Sequence, residues 1–283
     1  MIEIESSPFL VEFGSLILSW HGVFSFIAVA AAVFLVGRWA TLRNVDPDDI
    51  YSIAMWAIIG GIVGARLVHI IDNLDIYMDN PGKILAIWTG GIGLWGGILG
   101  GFVGGAGYAA FAKYPVGVVA DLTAPAMLFV QSIGRLGDIV NGEHCAKATN
   151  QFFGFIWTHS ESAARYCANG LGVGVQPVIA FEILWNLSCL WIIWTLRNRL
   201  KPSGMLFALY LFFYAAGRFI VTFFREDRIW AFGLQEAHFI AIMVLVITVP
   251  LLAFKARLGD PEEVKREFID SVPRRSRAER RRE

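Results

Sequence analysis

The chain has 283 residues, of which 56% are hydrophobic and 17% are charged, and it carries 24 basic and 24 acidic side chains. Soluble domains average about 25% charged residues, so this composition excludes a disordered chain, a fibrous repeat and a disulfide scaffold and argues against a soluble two-domain enzyme. The zero net charge conceals an asymmetry: the segment 255–283 has ten basic and seven acidic residues, and residues 1–254 carry the compensating acidic excess.

Apolar stretches of the length needed to cross a bilayer, about 20 residues, recur along the whole chain. The fourth of them is the shortest and contains Pro125. We therefore predict an all-α polytopic membrane protein with seven transmembrane helices. The predicted spans are Leu16–Val36, Tyr51–Ile71, Ile92–Ala112, Val116–Ile133, Val178–Leu196, Met205–Phe224 and Leu234–Phe254.

The basic residues of the short loops and of the tail predict the orientation, because cytoplasmic loops are enriched in Lys and Arg. A cytoplasmic C-terminus with seven spans places the N-terminus outside, although Arg225 and Arg228 then lie outside against the rule. The predicted domains are a membrane domain over 1–254, with a small extracytoplasmic cap at 145–176 between helices 4 and 5, and a basic cytoplasmic tail over 255–283. The tail suits anionic lipid headgroups, and an ordinary solvated charged end is the alternative.

Ionisable side chains within spans are costly and are therefore candidates for function. The predicted topology brings polar residues from six different spans to the outer ends of their helices, and so predicts a polar cavity in the outer half of the bilayer. These residues are His21, Arg66, Arg135, Glu182, Arg218, Arg225, Glu236 and His238.

Four arginines of this set predict a site for phosphate, because a guanidinium can bind phosphate through two parallel hydrogen bonds. In a membrane, the expected phosphate is that of a phospholipid headgroup. The alternative for each arginine is an interfacial side chain or a structural ion pair, and it is strongest for Arg225.

The segment 134–143, GRLGDIVNGE, follows the fourth predicted span. Two of its glycines, Gly134 and Gly137, indicate a flexible stretch at the membrane surface. Its polar residues are Arg135, Asp138, Asn141 and Glu143. Free backbone N–H groups at a helix end beside an arginine would form an anion cradle.

Glycines are concentrated between Gly90 and Gly107. The ladders Gly96/Gly100/Gly104 and Gly97/Gly101/Gly105 predict close helix packing, and Thr89–Gly97 is expected to form an irregular turn over a headgroup. No Gly-Lys-Ser/Thr follows, which excludes a nucleotide-binding P-loop.

The three cysteines form no metal-binding spacing; Cys145 and Cys167 share the outer loop and could pair, whereas Cys189 lies within a span.

The motif at 134–143 resembles the signature GRxGNFxNxE of bacterial prolipoprotein diacylglyceryl transferases. Four other segments resemble the family in the same order: GARL at 64–67, TGGIGLWGG at 89–97, VQPVIAFEILWN at 175–186 and GRFIVTFFRED at 217–227. The resemblance covers about residues 15–254.

The resemblance implies transfer of the diacylglyceryl group of phosphatidylglycerol to the lipobox cysteine of a preprolipoprotein, giving a thioether and glycerol 1-phosphate. The implied location is the bacterial cytoplasmic (inner) membrane, with the active site facing the outer leaflet. The implied partners are phosphatidylglycerol, the signal peptide that carries the lipobox cysteine, and membrane lipids, with no nucleic acid, cofactor or metal.

Mapped onto this chain, the resemblance implies catalytic roles for Arg135, Arg218, His21 and Glu143. The headgroup-binding set is Arg135, Arg66, Arg218, Arg225, Asn141, Asp138, Gly134, Gly137 and Glu182. Several positions depart from the family pattern: His21 stands in place of Tyr, Asp138 of Asn, Trp95 of a frequent His, Phe181 of Tyr and Ala146 of Gly. Asp138 is expected to weaken anion binding unless it pairs with an arginine, and His21 would supply a proton acceptor.

Two alternatives to the transferase are a divergent homologue that binds anionic phospholipid without transfer and a small-solute transporter. A transporter favours internal repeats and binding at the bilayer midplane. The sequence has no evident repeat, and its polar residues are predicted at the outer level.

Overall fold

The computed structural model describes residues 1–13, 16–43, 45–86, 91 and 93–272. The chain forms two compact units, the first from 1–34 with 120–264 and the second from 35–119 with the C-terminal segment that begins at 265. The separate prediction of a membrane domain that ends at residue 254, followed by a tail, stays a prediction.

Helices make up most of the described chain. They are α1 (Trp20–Thr41), α2 (Pro47–Asp72), α3 (Leu74–Asp79), α4 (Leu94–Phe111), α5 (Val116–Asn141), α6 (Val178–Leu196), α7 (Met205–Thr222), α8 (Glu236–Lys255) and α9 (Pro261–Ser271). Short 3-10 helices occur at Pro81–Leu85 and Ala163–Tyr166.

Among the described residues, eight short strands form four two-stranded sheets. The strands are β1 (Ile2–Ile4), β2 (Phe9–Phe13), β3 (Leu16–Ser19), β4 (Phe155–Trp157), β5 (Leu200–Lys201), β6 (Ile229–Ala231), β7 (Leu234–Gln235) and β8 (Arg257–Leu258). The pair β1–β4 is parallel, and β2–β3, β5–β8 and β6–β7 are antiparallel.

Six helices within the described residues are long and apolar enough to cross a membrane: α1, α2, α5, α6, α7 and α8. A mostly helical membrane protein is therefore confirmed. The third predicted span corresponds to α4, which has 18 residues. A seventh crossing, the orientation of the chain and the side of the membrane on which the cap lies stay predictions.

Most predicted spans differ by a few residues from the helices of the structure, and the first and the fourth show why. The first span was expected to start at Leu16, but Leu16–Ser19 is a strand paired with β2 and the helix starts at Trp20. The fourth was expected to end at Ile133, but α5 continues to Asn141 and contains Pro125 within its length. Hydropathy marks only where the apolar side chains end. The helix α5 continues beyond that point because polar residues that follow, such as Arg135 and Asp138, are paired inside the protein.

In the second unit, α2 and α4 pack through glycine. A Cβ atom built on Gly100 would lie 3.0 Å from the Cα of Gly64 and would overlap the carbonyl of Gly60. The ladder Gly96/Gly100/Gly104 therefore lies directly against α2, as predicted. A Cβ atom on Gly107 would meet nothing within 4 Å, so close packing ends before that residue.

In the first unit, α5, α6 and α7 pack around a buried cluster of Ala124, Leu128, Cys189, Ile193, Leu206 and Tyr210. The carboxylate of Asp121 on α5 accepts hydrogen bonds from the backbone N–H groups of Gly204 (2.7 Å) and Phe207 (2.9 Å). These N–H groups lie at the start of α7 and have no partner within that helix, which is why a carboxylate there is favourable.

The segment predicted as a cap, 145–176, is folded. A disulfide joins Cys145 to Cys167, which resolves the pairing that the sequence left open. Phe155, Trp157 and Val175 belong to its buried core, and Nε1 of Trp157 donates a hydrogen bond of 2.8 Å to the carbonyl of Ile139 on α5. The folded segment is thereby fixed to the end of α5 that carries the polar residues.

Candidate functional site

A chain of alternating charges links three helices of the first unit. Nη1 of Arg135 lies 2.6 Å from Oδ2 of Asp138, and Nε of Arg135 lies 2.6 Å from Oε2 of Glu182. The other oxygen of Glu182 accepts a hydrogen bond of 2.9 Å from Nη1 of Arg218. The structure thus brings together Arg135 and Arg218, the two arginines expected to be catalytic, on opposite oxygens of one carboxylate.

The local sequence explains how these side chains meet. Arg135 and Asp138 are three residues apart on α5 and therefore share a face of that helix. Glu182 lies in the second turn of α6, and Arg218 lies in the last turn and a half of α7. Asp138 is 3% exposed and Glu182 is 8% exposed. Carboxylates so deeply buried must be paired, because an isolated buried charge is expensive.

His21 adds α1 to the site. Its Nδ1 lies 2.7 Å from Oδ1 of Asp138 and 3.6 Å from Oε1 of Glu143. The side-chain amide of Asn141 donates a hydrogen bond of 3.0 Å to the same oxygen of Glu143. His21 and Asp138, two of the positions that depart from the transferase motif, are therefore in direct contact with each other.

His144 belongs to the site, although sequence reasoning missed it. Its Nε2 lies 2.5 Å from Nη1 of Arg135 and 3.1 Å from Oδ2 of Asp138. Because a guanidinium only donates hydrogen bonds, Nε2 accepts from Arg135. The backbone of His144 has φ of 71°, a left-handed conformation that is uncommon for a residue with a side chain. The sequence offered one indication that His144 belongs to the site: it lies between the motif 134–143 and Cys145.

Gly137 allows α1 to approach α5 closely. A Cβ atom at this position would lie 2.8 Å from the Cα of His21 and 3.2 Å from the Cβ of Phe24. Gly137 therefore determines how near His21 can come to Asp138. By contrast, a Cβ atom on Gly134 would meet nothing within 4 Å. A role for Gly134 beside a headgroup stays a prediction.

The expectation of a flexible anion cradle at 134–143 was wrong. Residues Gly134 to Asn141 form the last two turns of α5, so the backbone N–H groups of this stretch lie within the helix and not at a free helix start. The polar groups at this level are side chains, and the left-handed turn begins only at Gly142, where φ is 74°.

Arg225 and Arg66 do not join the charge chain among the described residues. Arg225 is 5% exposed, and its Nε donates a hydrogen bond of 2.7 Å to Oδ2 of Asp227. Its Nη1 is buried and has no hydrogen-bond partner in the described parts of the chain. Arg225 is thus a buried guanidinium with one donor group to which the described residues offer no acceptor.

Arg66 lies on α2 in the second unit, where its guanidinium binds backbone carbonyls. Nε donates to Ile84 at 2.9 Å, Nη1 donates to Gly91 at 2.8 Å, and Nη2 donates to Lys83 and to Ala86. These bonds hold the segment that follows α3. The turn predicted over Thr89–Gly97 lies in part outside the described residues, and a direct role of Arg66 in headgroup binding stays a prediction.

One group of described residues has donor atoms spaced for a metal ion. The ligand atoms of His21, Asp138 and Glu143 lie within 4.8 Å of one another. The second oxygen of Asp138 is already bound by Arg135, so a cation here would share its carboxylate with a guanidinium. The expected absence of a metal stays a prediction.

The fold and this site define a polytopic membrane protein with a buried, charge-paired centre at the ends of its helices. The sequence profile of the family described as prolipoprotein diacylglyceryl transferase matches residues 8–254. The chain belongs to this family.

Similar proteins named phosphatidylglycerol–prolipoprotein diacylglyceryl transferase occur in several bacteria. The protein from Dehalococcoides mccartyi strain CBDB1 is 33% identical over 260 residues, which are 91% of this chain and 96% of that protein. The protein from Symbiobacterium thermophilum is 30% identical over 255 residues, 88% of this chain and 93% of its own. The protein from Listeria welshimeri is 29% identical over 258 residues, 90% of this chain and 91% of its own.

Proposed function

We propose that this protein transfers the diacylglyceryl group of phosphatidylglycerol to the thiol of the lipobox cysteine in a preprolipoprotein. The reaction forms a thioether and releases glycerol 1-phosphate. Its family membership and the names of its relatives support this activity. The structural observation that supports it best is the pair of guanidiniums, Arg135 and Arg218, held on the single carboxylate of Glu182.

The two guanidiniums suit the phosphodiester of the lipid. Within the described residues, Nη2 of Arg135 and both Nε and Nη2 of Arg218 have no protein acceptor. These donors are held in place before the substrate binds, which is the condition for stabilising charge that develops during the reaction. When the C–O bond to the phosphate breaks, the phosphate gains a second negative charge, and the two arginines stabilise it.

His21 is the proposed proton acceptor for the cysteine thiol, because the thiolate is the reactive nucleophile. Uptake of that proton makes the imidazole positive at the stage when the leaving phosphate becomes more negative. Glu143 lies 3.6 Å from Nδ1 of His21 and would stabilise the resulting imidazolium. Asn141 holds Glu143 in position through its side-chain amide.

The remaining residues of the predicted set would complete the headgroup site. The Nη1 donor of Arg225, which has no acceptor among the described residues, suits the glycerol-phosphate part of the lipid. Arg66 orders the segment that follows α3 within the second unit. Gly137 and Glu182 act through the side chains that they position. Gly134 would leave room for the headgroup beside α5.

The proposed topology has seven transmembrane helices, an external N-terminus and a cytoplasmic tail in the bacterial inner membrane. The folded segment 145–176 would then cover the site from outside, and the active site would face the outer leaflet. Phosphatidylglycerol and the signal peptide would both reach the site laterally from the membrane.

The test uses purified protein in vesicles containing phosphatidylglycerol, with a synthetic signal peptide that carries a lipobox cysteine. We expect the peptide to gain the mass of a diacylglyceryl group and glycerol 1-phosphate to appear in equal amount. A peptide with serine in place of the cysteine is the substrate control, and Arg165→Ala in the folded segment 145–176 is the enzyme control. A folded protein that binds the vesicles but releases no glycerol 1-phosphate would support the phospholipid-binding homologue without transferase activity.

A further inference from the structure

The contact between His21 and Asp138 specifies which ring nitrogen of His21 carries a proton. Asp138 is bound through Oδ2 by the guanidinium of Arg135 at 2.6 Å, and this pairing favours the ionised carboxylate. An ionised carboxylate only accepts hydrogen bonds. The ring nitrogen that lies 2.7 Å from Oδ1 of Asp138, Nδ1 of His21, is therefore the one that donates.

The other ring nitrogen of His21 is consequently the basic one. A neutral imidazole that carries its proton on Nδ1 has its lone pair on Nε2. Within the described parts of the chain, Nε2 of His21 forms no hydrogen bond, and the side chain is 42% exposed. Nε2 can thus reach a substrate, whereas Nδ1 is occupied by the protein.

We propose that His21 and Asp138 form a catalytic dyad in which His21 is the general base and Asp138 is the positioning residue. Asp138 presents Nε2 of His21 to the incoming cysteine thiol. This inference rests on the proposed transferase activity and specifies how the nucleophile is activated. Asp138, which the sequence placed in the headgroup site, then acts through His21 and does not contact the lipid.

The chemical step balances without any further reactant. The thiol proton passes to Nε2 of His21, and the thiolate sulfur attacks the glycerol carbon that carries the phosphate ester. The S–C bond forms as the C–O bond breaks, and glycerol 1-phosphate departs with the electron pair. The imidazolium remains paired with the carboxylate of Asp138 until it releases its proton to water.

The surroundings keep Asp138 in a single orientation. Arg135 binds one oxygen at 2.6 Å, and Nδ1 of His21 lies 2.7 Å from the other. Asp138 is 3% exposed, and the absence of a side chain at Gly137 allows the backbone of His21 to lie close to α5. The charged and titratable groups around His21 are Asp138 and Glu143 and, on the far side of Asp138, Arg135 and His144.

The experiment measures transfer as a function of pH for the wild type and the variants His21→Gln, Asp138→Asn and Arg218→Ala. At pH 7, loss of a general base or of the residue that orients it is expected to slow transfer by about 10²–10⁴-fold. A cysteine thiol ionises on its own near pH 8.5. The ratio of the wild-type rate to the variant rate should therefore fall by at least tenfold between pH 6.5 and pH 9 for His21→Gln and for Asp138→Asn. For Arg218→Ala this ratio should stay constant.

A double-mutant cycle tests whether His21 and Asp138 act in the same catalytic step or whether the two substitutions damage the structure independently. If Asp138 acts through His21, the variant that combines His21→Gln with Asp138→Asn should be no slower than either single variant. Asp138→Glu, which restores the carboxylate, should recover part of the lost rate. Each variant is first required to elute as a single species in detergent, so that loss of folding is recognised.

Three results would overturn the proposed His21–Asp138 dyad while leaving the transferase activity intact. They are an Asp138→Asn defect that does not depend on pH, losses that multiply in the double variant, and activity that a chelator removes and zinc restores. The last result would indicate a metal-bound thiolate at His21, Asp138 and Glu143. If the wild type transfers nothing at any pH, it is the proposed function that fails, and the inference falls with it.

Discussion

Arg135 on α5 and Arg218 on α7 bind opposite oxygens of one buried carboxylate, that of Glu182 on α6. Two guanidiniums placed this close would repel each other in a medium of low dielectric constant if no anion lay between them. The carboxylate offsets one positive charge and determines the directions of the N–H groups that remain. Glu182 is therefore expected to affect both the stability of the three-helix contact and the rate of transfer.

Removal of the Glu182 carboxylate should damage the protein strongly. Glu182→Ala leaves Arg135 paired with Asp138 alone and removes the carboxylate partner of Arg218, and loss of one partner of a buried pair typically costs about 3–5 kcal/mol. Glu182→Gln preserves the shape of the side chain but not its charge, and misplaced arginines should slow transfer by about 10²-fold. Thermal unfolding in detergent and glycerol 1-phosphate release measure the two effects.

The matched control for Glu182 is Glu161→Gln, because Glu161 pairs with the exposed Arg165 at 2.9 Å. Exposed pairs contribute little to stability, so neither the unfolding midpoint nor the rate should change. Equal effects at both positions would show that the burial of the Glu182 pair is unimportant.

Much of this site could be predicted from the sequence because ionisable residues within apolar stretches are few. Glu182 and Arg218 were identified in this way, Arg135 was identified directly after the fourth stretch, and the structure joins them. The pairing itself could not be predicted, because the contact of Glu182 with both arginines depends on the relative rotation of α5, α6 and α7. Hydropathy gives the length of a span but not the direction in which its polar face points.

The failures have physical causes as well. His144 was missed because it lies outside the apolar stretches, in a left-handed turn whose conformation the sequence does not specify. Arg66 was grouped with the other arginines on charge alone, whereas its nitrogens bind the carbonyls of Ile84 and Gly91. A guanidinium satisfies backbone carbonyls as readily as phosphate, and composition cannot distinguish the two.

A methyl group at Gly137 should impair catalysis more than it impairs folding. In Gly137→Ala the new Cβ would lie 2.8 Å from the Cα of His21, so α1 must move away from α5 and the contact between His21 and Asp138 lengthens. A displacement on the order of 1 Å can cost about 10²-fold in rate. For the effect on stability, Gly134→Ala is the matched substitution on the same helix, and it should be neutral or slightly stabilising since its Cβ meets nothing within 4 Å. Full transfer activity in Gly137→Ala would contradict the proposed geometry.

The contact between α2 and α4 should be similarly sensitive to added volume. In Gly100→Ala the methyl group would meet backbone atoms of Gly60 and Gly64, which cannot rotate away as a side chain can. Overpacking of this kind typically costs about 1–3 kcal/mol, and a lowered unfolding midpoint in detergent would report it. The comparison is Gly107→Ala on the same helix, where the added Cβ has open space. If both variants unfold at the same temperature, the glycine ladder is not required for helix packing.

The Cys145–Cys167 disulfide should stabilise the folded segment and, through it, the site. The bond closes a loop with a sequence separation of 22, for which chain entropy predicts a contribution of about 3 kcal/mol. Cys145 directly follows His144, whose ring accepts a hydrogen bond from Arg135. In a variant with both cysteines changed to serine, we therefore expect faster proteolysis within 145–176 and slower transfer, because His144 no longer restrains Arg135. Cys189→Ser is the control for loss of a thiol elsewhere, and it should leave proteolysis of this segment unchanged. Normal transfer by a double variant whose segment is cleaved rapidly would show that the order of this segment does not matter for the reaction.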